Sequence, residues 1–201
     1  MVLPNLNGLA EKMGGKQEAA RRLDKFFTKL NGGAGSIYAY TGNEPCLETP
    51  LEFDLFGEPY KTQHIVRKIM AKTFSSASDG YPGNDDLSEM SSWYIFSALG
   101  MYTELPGSDA LVFGIPFFGK VVLHLKHGDV TIAGKGAAVN APYVHGLTFN
   151  GKRWDKTWIR LRDISHGGSL VFSLSNIPDK SRGSAPSDAP PWYGDNSNGV
   201  K

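Results

Sequence analysis

Cysteine is almost missing from this chain. Cys46 stands alone in 201 residues, so no internal disulfide can staple the fold, and nothing beside Pro45 would activate the thiol, which leaves a buried structural role as the expectation. A single cysteine also leaves no thiolate set for structural zinc, and His64, His124, His127, His145 and His166 show no zinc-like spacing among themselves. Charge of one sign is lacking too. A formal net charge of +1 gives no basic surface of the kind that nucleic acid or an anionic membrane requires, so neither is expected as a partner. No apolar run approaches the roughly 20 residues that span a bilayer, and no charged leader followed by an apolar stretch opens the sequence, so the chain as it stands is expected to carry no export signal. Gly14-Gly15-Lys16 lacks the preceding spacing of a phosphate loop, which argues against nucleotide binding. There is no internal repeat.

What is present is an ordinary globular content, 40% hydrophobic and 11% aromatic residues, on a length that suits one sizeable domain or two small ones. Residues 1–106 are helical in pattern. In residues 16–30 one face carries Ala19, Leu23, Phe26, Phe27 and Leu30 and the other carries Lys and Arg, with Asn31-Gly32-Gly33 as the stop. Pro59 suits a first helical turn, and Ile65, Val66, Ile69 and Met70 continue that helix to about Phe74. Over residues 107–178 the period shifts to short strands, at Val121–Leu125, Val130–Ile132, Val144–Phe149, Trp158–Leu161 and Leu170–Leu174, with Asn150-Gly151 as the strongest hairpin signal. Residues 179–201 are rich in Pro, Ser, Gly and Asp, a tail expected to lie over the surface or stay disordered. Helices followed by a strand block predict an α+β chain.

The stretch richest in chemistry is residues 83–100. Leu87, Met90, Trp93, Tyr94, Ser97 and Ala98 recur at helical spacing before Gly100, which places Asp85 and Asp86 at the N-terminal tip of a helix. Two readings are open on the residues alone. Asp86 followed three residues later by Glu89 is a capping-box spacing, in which side chains satisfy orphan N–H groups. Alternatively, the helix dipole keeps a carboxylate ionised there, as a general base requires.

Gly83-Asn84-Asp85-Asp86, with Met90-Ser91-Ser92-Trp93-Tyr94 and Phe96-Ser97-Ala98-Leu99-Gly100, resembles the signature of glycoside hydrolase family 92, the calcium-dependent, inverting, exo-acting α-mannosidases. Further segments resemble that family in the same order. They are Met13-Gly14-Gly15-Lys16, Gly42-Asn43-Glu44-Pro45, Gly57-Glu58-Pro59-Tyr60-Lys61-Thr62-Gln63, Phe113-Gly114-Ile115-Pro116, Asn150-Gly151-Lys152 and Gly167-Gly168-Ser169-Leu170. The resemblance implies a partial (α/α)6-barrel of helices followed by a C-terminal antiparallel β-region. It also implies that this chain is the C-terminal portion of a longer enzyme, whose N-terminal part is its partner. Complete members of the family are typically secreted or periplasmic.

Carried onto this sequence, the resemblance makes Asp86 the general base and Asp85, the catalytic residue beside it, a holder of the water, the metal or the sugar, with Asp85 as the alternative base. Asn43, Glu44 and Asn84 become substrate-binding residues for an α-mannoside oligosaccharide, and Asn43 and Asp85 become ligands of Ca2+. The family's general acid lies upstream of where this chain begins, so the chain by itself is expected to hydrolyse α-mannosides poorly. An incomplete ring of helices is further expected to leave Leu23, Phe26, Ile65, Ile69 or Trp93 partly open to solvent. The sequence departs from the family pattern at Leu47, which is no polar ligand, and at Ser88 and Glu89, where Gly and Gln are usual. The alternative function is a non-catalytic remnant in which the β-region is a packing or carbohydrate-binding module. Trp154, Trp158 and Trp192 could stack on sugars, though core roles are expected of them.

Overall fold

A computed structural model describes residues 5–105, 107–137 and 141–192. The helical half opens with α1 (Leu6–Lys12), started by the Asn5 side chain accepting from the Gly8 N–H at 2.8 Å. Then comes α2 (Lys16–Phe26), which stops short of the predicted Leu30. The cause is a competing partner, because the Phe26 and Leu30 carbonyls accept from the Ala39 and Thr41 N–H groups at 2.9 and 3.0 Å, so the chain turns back on itself instead of winding on. Two 3-10 turns (Glu44–Cys46 and Thr49–Leu51) lead through the short α3 (Glu52–Leu55) to α4 (Pro59–Thr73), where Pro59 takes the first helical position as expected.

The next helix, α5 (Glu89–Leu99), begins two residues later than Leu87. Asp86, Leu87 and Ser88 have φ of 50°, 55° and 71°, a left-handed run that no α-helix tolerates, and Leu87 is fully exposed instead of facing the core. The other end behaves as read. Gly100 closes the helix at φ 87°, and a Cβ there would lie 2.6 Å from the Pro116 nitrogen, so glycine serves both the left-handed cap and the tight packing.

The strand half holds two sheets. In the first, β1 (Met101–Tyr102), β2 (Ala110–Phe113) and β7 (Trp158–Arg160) pair antiparallel in the order β1-β2-β7. In the second, β3 (Lys120–Leu125), β4 (Gly128–Lys135), β5 (Tyr143–Phe149), β6 (Lys152–Arg153) and β8 (Gly168–Ser175) take the order β3-β4-β8-β5-β6. This sheet is mixed and not purely antiparallel: β8 inserts between β4 and β5 and runs parallel to β4. Asn150 and Gly151 turn the β5–β6 hairpin with φ of 50° and 75°. Leu161 starts a short helix, α6 (Leu161–Ile164), instead of ending a strand.

One core joins Phe27, Phe53, Ile69, Met90 and Trp93 to Val112 and Trp158, so the first sheet packs on the helices. A second lies between Ile115, Ile132, Leu147, Ile159, Leu170 and Phe172. Side chains of α4 tie the halves together. The buried Gln63 accepts from the Val144 N–H at 2.9 Å, and the buried Arg67 donates to the Pro116 carbonyl at 3.2 Å while lying 4.7 Å over the Phe117 ring. Of the side chains expected to be open, Leu23, Phe26 and Ile65 are half-buried whereas Ile69 and Trp93 are buried. On α5 it is Ile95 and Phe96 that are exposed, at 58% and 41%. The described part of the tail lies over the surface, with the Asp188 carbonyl accepting from the Thr157 N–H at 3.0 Å; residues 193–201 lie outside the described residues.

Candidate active site

Two loops meet at glycines. An added Cβ at Gly83 would lie 2.0 Å from the Gly42 carbonyl oxygen, and one at Gly42 would lie 2.5 Å from that of Pro82. Only residues without a side chain allow this backbone contact. It sets Asn43 and Glu44, just after Gly42, beside Asn84, Asp85 and Asp86, just after Gly83. Asn43 and Asn84 are exposed, and Glu44, Asp85 and Asp86 are half-buried. The first loop is anchored from beneath by the Trp93 indole N–H, which donates to the Leu47 carbonyl at 2.9 Å. Leu47 itself is buried in the core, so its side chain is packing material.

The second loop carries the strain. Three consecutive non-glycine residues with positive φ are uncommon, and such conformations gather where a site needs groups held in one place. The capping-box spacing is not used: the N-cap is Ser88, which makes no side-chain cap. That duty falls to Asp85, whose Oδ1 accepts from the Ser91 hydroxyl at 2.6 Å and from the Ser91 N–H at 3.2 Å. The Ser91 hydroxyl is the main reason the Asp85 carboxyl sits below the ordinary carboxylate range. Asp86, one residue on, takes no part in holding the helix through its side chain at this N-cap; its carbonyl accepts from the Glu89 N–H at 3.2 Å.

The field around these loops is acidic. Burial first, then the charges of Glu44 and Asp86, raise the Glu89 carboxyl. Burial, then Glu89 and Glu44, push the buried Glu48 up to about 7, and Glu48 and Glu89 add to burial in pushing Tyr102 up to about 12. So Glu89 lies under the charges of both loops, Glu44 on one and Asp86 on the other. Reading the sequence did not single out Glu48, Tyr102, Ser91 or the Gly42–Gly83 contact. Glu48 and Tyr102 are far apart in sequence, and Ser91 lies six residues from Asp85, a spacing that no helix or strand period makes adjacent. Cys46 is half-buried and its thiol is raised mainly by burial, away from reactivity.

The donors here are all oxygens, the type that calcium prefers. Among the described residues no three His, Cys, Asp or Glu side chains converge on one point. Asn43 and Asp85 therefore offer oxygens without forming a carboxylate cage between them.

The pattern that describes the glycosyl hydrolase family 92 catalytic domain matches residues 1–176. A protein of Arthroderma benhamiae named as an uncharacterized secreted glycosidase is 27% identical over 199 residues, covering 94% of this chain and 24% of its own length. Among solved structures, a family 92 α-mannosidase from Bacteroides thetaiotaomicron is similar at a TM-score of 0.85 and 29% identity, over 94% of this chain and 25% of that one. That enzyme has also been seen in complex with mannoimidazole. A family 92 inverting mannosidase from the same organism is similar at a TM-score of 0.85 and 32% identity, over 96% of this chain and 28% of that one. This chain spans about a quarter of the length of the relatives it matches.

Proposed function

The chain belongs to glycosyl hydrolase family 92, and from that premise we propose that it is the C-terminal part of an exo-acting, inverting, calcium-dependent α-mannosidase acting on α-linked mannosides such as N-glycans or mannans. The observation that carries this reading is the meeting of the Asn43-Glu44 loop with the Asn84-Asp85-Asp86 loop through Gly42 and Gly83. It gathers acids on a strained, exposed turn where a sugar can reach them.

In an inverting reaction one carboxylic acid protonates the leaving oxygen while a carboxylate on the opposite face takes a proton from water, the two standing roughly 6.5–9.5 Å apart. Asp86 is assigned as that carboxylate, because Asp85 is committed to Ser91 whereas Asp86 sits on the left-handed turn with no helix to cap. Asp85 then holds the turn and, with Asn43, offers oxygen to calcium. When bound, calcium would polarise and orient sugar hydroxyls. Glu44 and Asn84 would hydrogen-bond the sugar. The general acid is proposed to come from the N-terminal part of the longer enzyme, in a ring of helices that α2, α4 and α5 help to form.

The test uses this chain alone and within its complete enzyme, assayed on α-linked mannosides with calcium and with a chelator. The chain alone should be nearly inactive, since loss of acid catalysis costs on the order of a hundred- to ten-thousand-fold. In the complete enzyme Asp86→Asn should lower turnover at least about a hundredfold and leave mannoside binding intact. Near-normal turnover by that variant would remove Asp86 from the role, and efficient turnover by the isolated chain would remove the borrowed acid.

A further inference from the structure

A second group of acids is buried under the contact between α3, α4 and the C-terminal strap of residues 179–188. Asp54 on α3 is completely buried and Glu104 is 2% exposed. The Thr62 hydroxyl, on α4, touches two oxygens: the Pro50 carbonyl, at 2.8 Å, and Asp54 Oδ2. A hydroxyl has one proton and a carbonyl has none to give. The one Thr62 proton can serve only one of them, and when it goes to Pro50 the proton between Thr62 and Asp54 comes from Asp54. The other hydroxyl beside Asp54 is Thr157, and it donates to the Asp188 carbonyl at 3.2 Å. Asp54 Oδ1 and both Glu104 oxygens have no hydrogen-bond partner among the described residues, a cost that an ionised carboxylate would multiply and a neutral acid largely avoids.

We propose that Asp54, with Glu104 beside it, is a proton latch: in the folded chain Asp54 is a neutral carboxylic acid that donates its own proton to Thr62, clamping the 49–55 segment, α4 and the strap together, and losing the proton loosens that clamp. The groups facing Asp54 are Glu104, Thr62, Thr157 and Arg182. Glu104 also faces Glu52, which in turn faces Glu48. Arg182 is the one cation named among them; its Nη2 donates to the Trp154 carbonyl at 2.9 Å, and Asp155, Asp179 and Asp188 share its charge with Asp54. The nearby Lys16 ammonium donates a hydrogen bond to the Leu55 carbonyl at 2.8 Å. Burial dominates the raised values of Asp54, about 7, and of Glu104, which lies well above the ordinary range. The strap closes over this cluster: a Cβ at Gly183 would lie 2.3 Å from the Thr157 methyl and 3.3 Å from Pro59.

Because the folded value of Asp54 is raised above the unfolded one, the latch contributes fully below the unfolded value, near 3.8, and its contribution is lost as pH climbs to about 7. Urea unfolding of the full chain between about pH 5 and 8 reads this directly. The folding constant should fall with pH, and in Asp54→Asn, which keeps a neutral donor toward Thr62, the fall should be shallower by up to tenfold per pH unit below about 7. Glu104→Gln should flatten the curve in the same sense and higher in pH, and it serves as the reading if Asp54→Asn does not fold. An infrared band of protonated carboxyl should be present in the unaltered chain at about pH 6 and weaker in Asp54→Asn, which leaves the raised Glu48, Glu52 and Glu104 in place. A pH slope unchanged in both variants, or no such band, would show ionised acids and overturn the proposal.

Discussion

Replacing Trp93 with Phe tests whether the core and the candidate active site are one construction. The indole N–H of Trp93 donates to the Leu47 carbonyl at 2.9 Å, and both residues are 1% exposed, so the phenyl ring leaves a buried carbonyl without a donor. That omission costs about 1–3 kcal/mol. The smaller ring also opens space against Phe74, whose ring stacks on Trp93 with centroids 5.6 Å apart, and a partly collapsed void adds about 1 kcal/mol. Together they predict a loss of about 2–4 kcal/mol, a large share of the roughly 5–15 kcal/mol that a domain commands. Urea unfolding at fixed pH should show a lower midpoint with an unchanged slope. The effect should also reach the Glu44–Cys46 turn, whose backbone amides should exchange faster with solvent than those of α2. A loss below about 0.5 kcal/mol would mean that Leu47 finds another donor, and the anchor reasoning would fail.

Three further outcomes follow from the same geometry. Ser91→Ala should raise the Asp85 carboxyl toward its ordinary value, seen by NMR titration; because the folded value is depressed, the stability difference between Ser91→Ala and the unaltered chain should be present near neutrality and shrink as pH falls through the folded value. An unmoved titration would leave the depression to another group. Gly83→Ala places a Cβ 2.0 Å from the Gly42 oxygen, so it should cost about 1–3 kcal/mol and separate the two loops, which thermal unfolding and a crystal structure would check against Gly151→Ala as a strained but uncrowded control. Ile95→Glu together with Phe96→Lys should lower self-association of the isolated chain in light scattering while changing its stability by less than about 0.5 kcal/mol, since both side chains are exposed; unchanged association would move the sticky surface elsewhere.

Where a signal was local, the sequence could be read correctly. Pro59 and Gly100 act through their own φ angles, and Asn150-Gly151 turns a hairpin without help from distant residues. Where a carbonyl had a distant suitor, local periodicity misled: the apolar stripe runs on to Leu30, but Ala39 and Thr41 claim the Phe26 and Leu30 carbonyls. Leu87 fits the stripe of α5 by spacing, yet the left-handed run from Asp86 to Ser88 turns it outward. Propensity has no way to show such strain, because it is sustained by the loop contact around it. Asp85 and Asp86 stood out in the sequence because they lie adjacent in a motif. The hydrogen bond that Ser91 gives Asp85 did not, since only the fold brings the two together. The parallel pairing of β4 with β8 was equally hidden: it joins Val130 to Gly168 across the whole β5–β7 segment.

That pairing also sets an order of events during synthesis. β3 with β4, and β5 with β6, are neighbours in sequence and can pair as soon as each has been made. Neither hairpin touches the other's strands in the finished ladder, because β8 stands between them and is the last strand of the sheet. Until Ser175 has left the ribosome, two open edges face each other across an empty place, with Ile132 on one and Leu147 on the other still short of Phe172. Contacts of such long sequence separation form slowly. A chain cut anywhere before β8 thus loses the seam of the sheet and not merely its rim, and what remains is a pair of unguarded strand edges of the kind that join neighbouring chains.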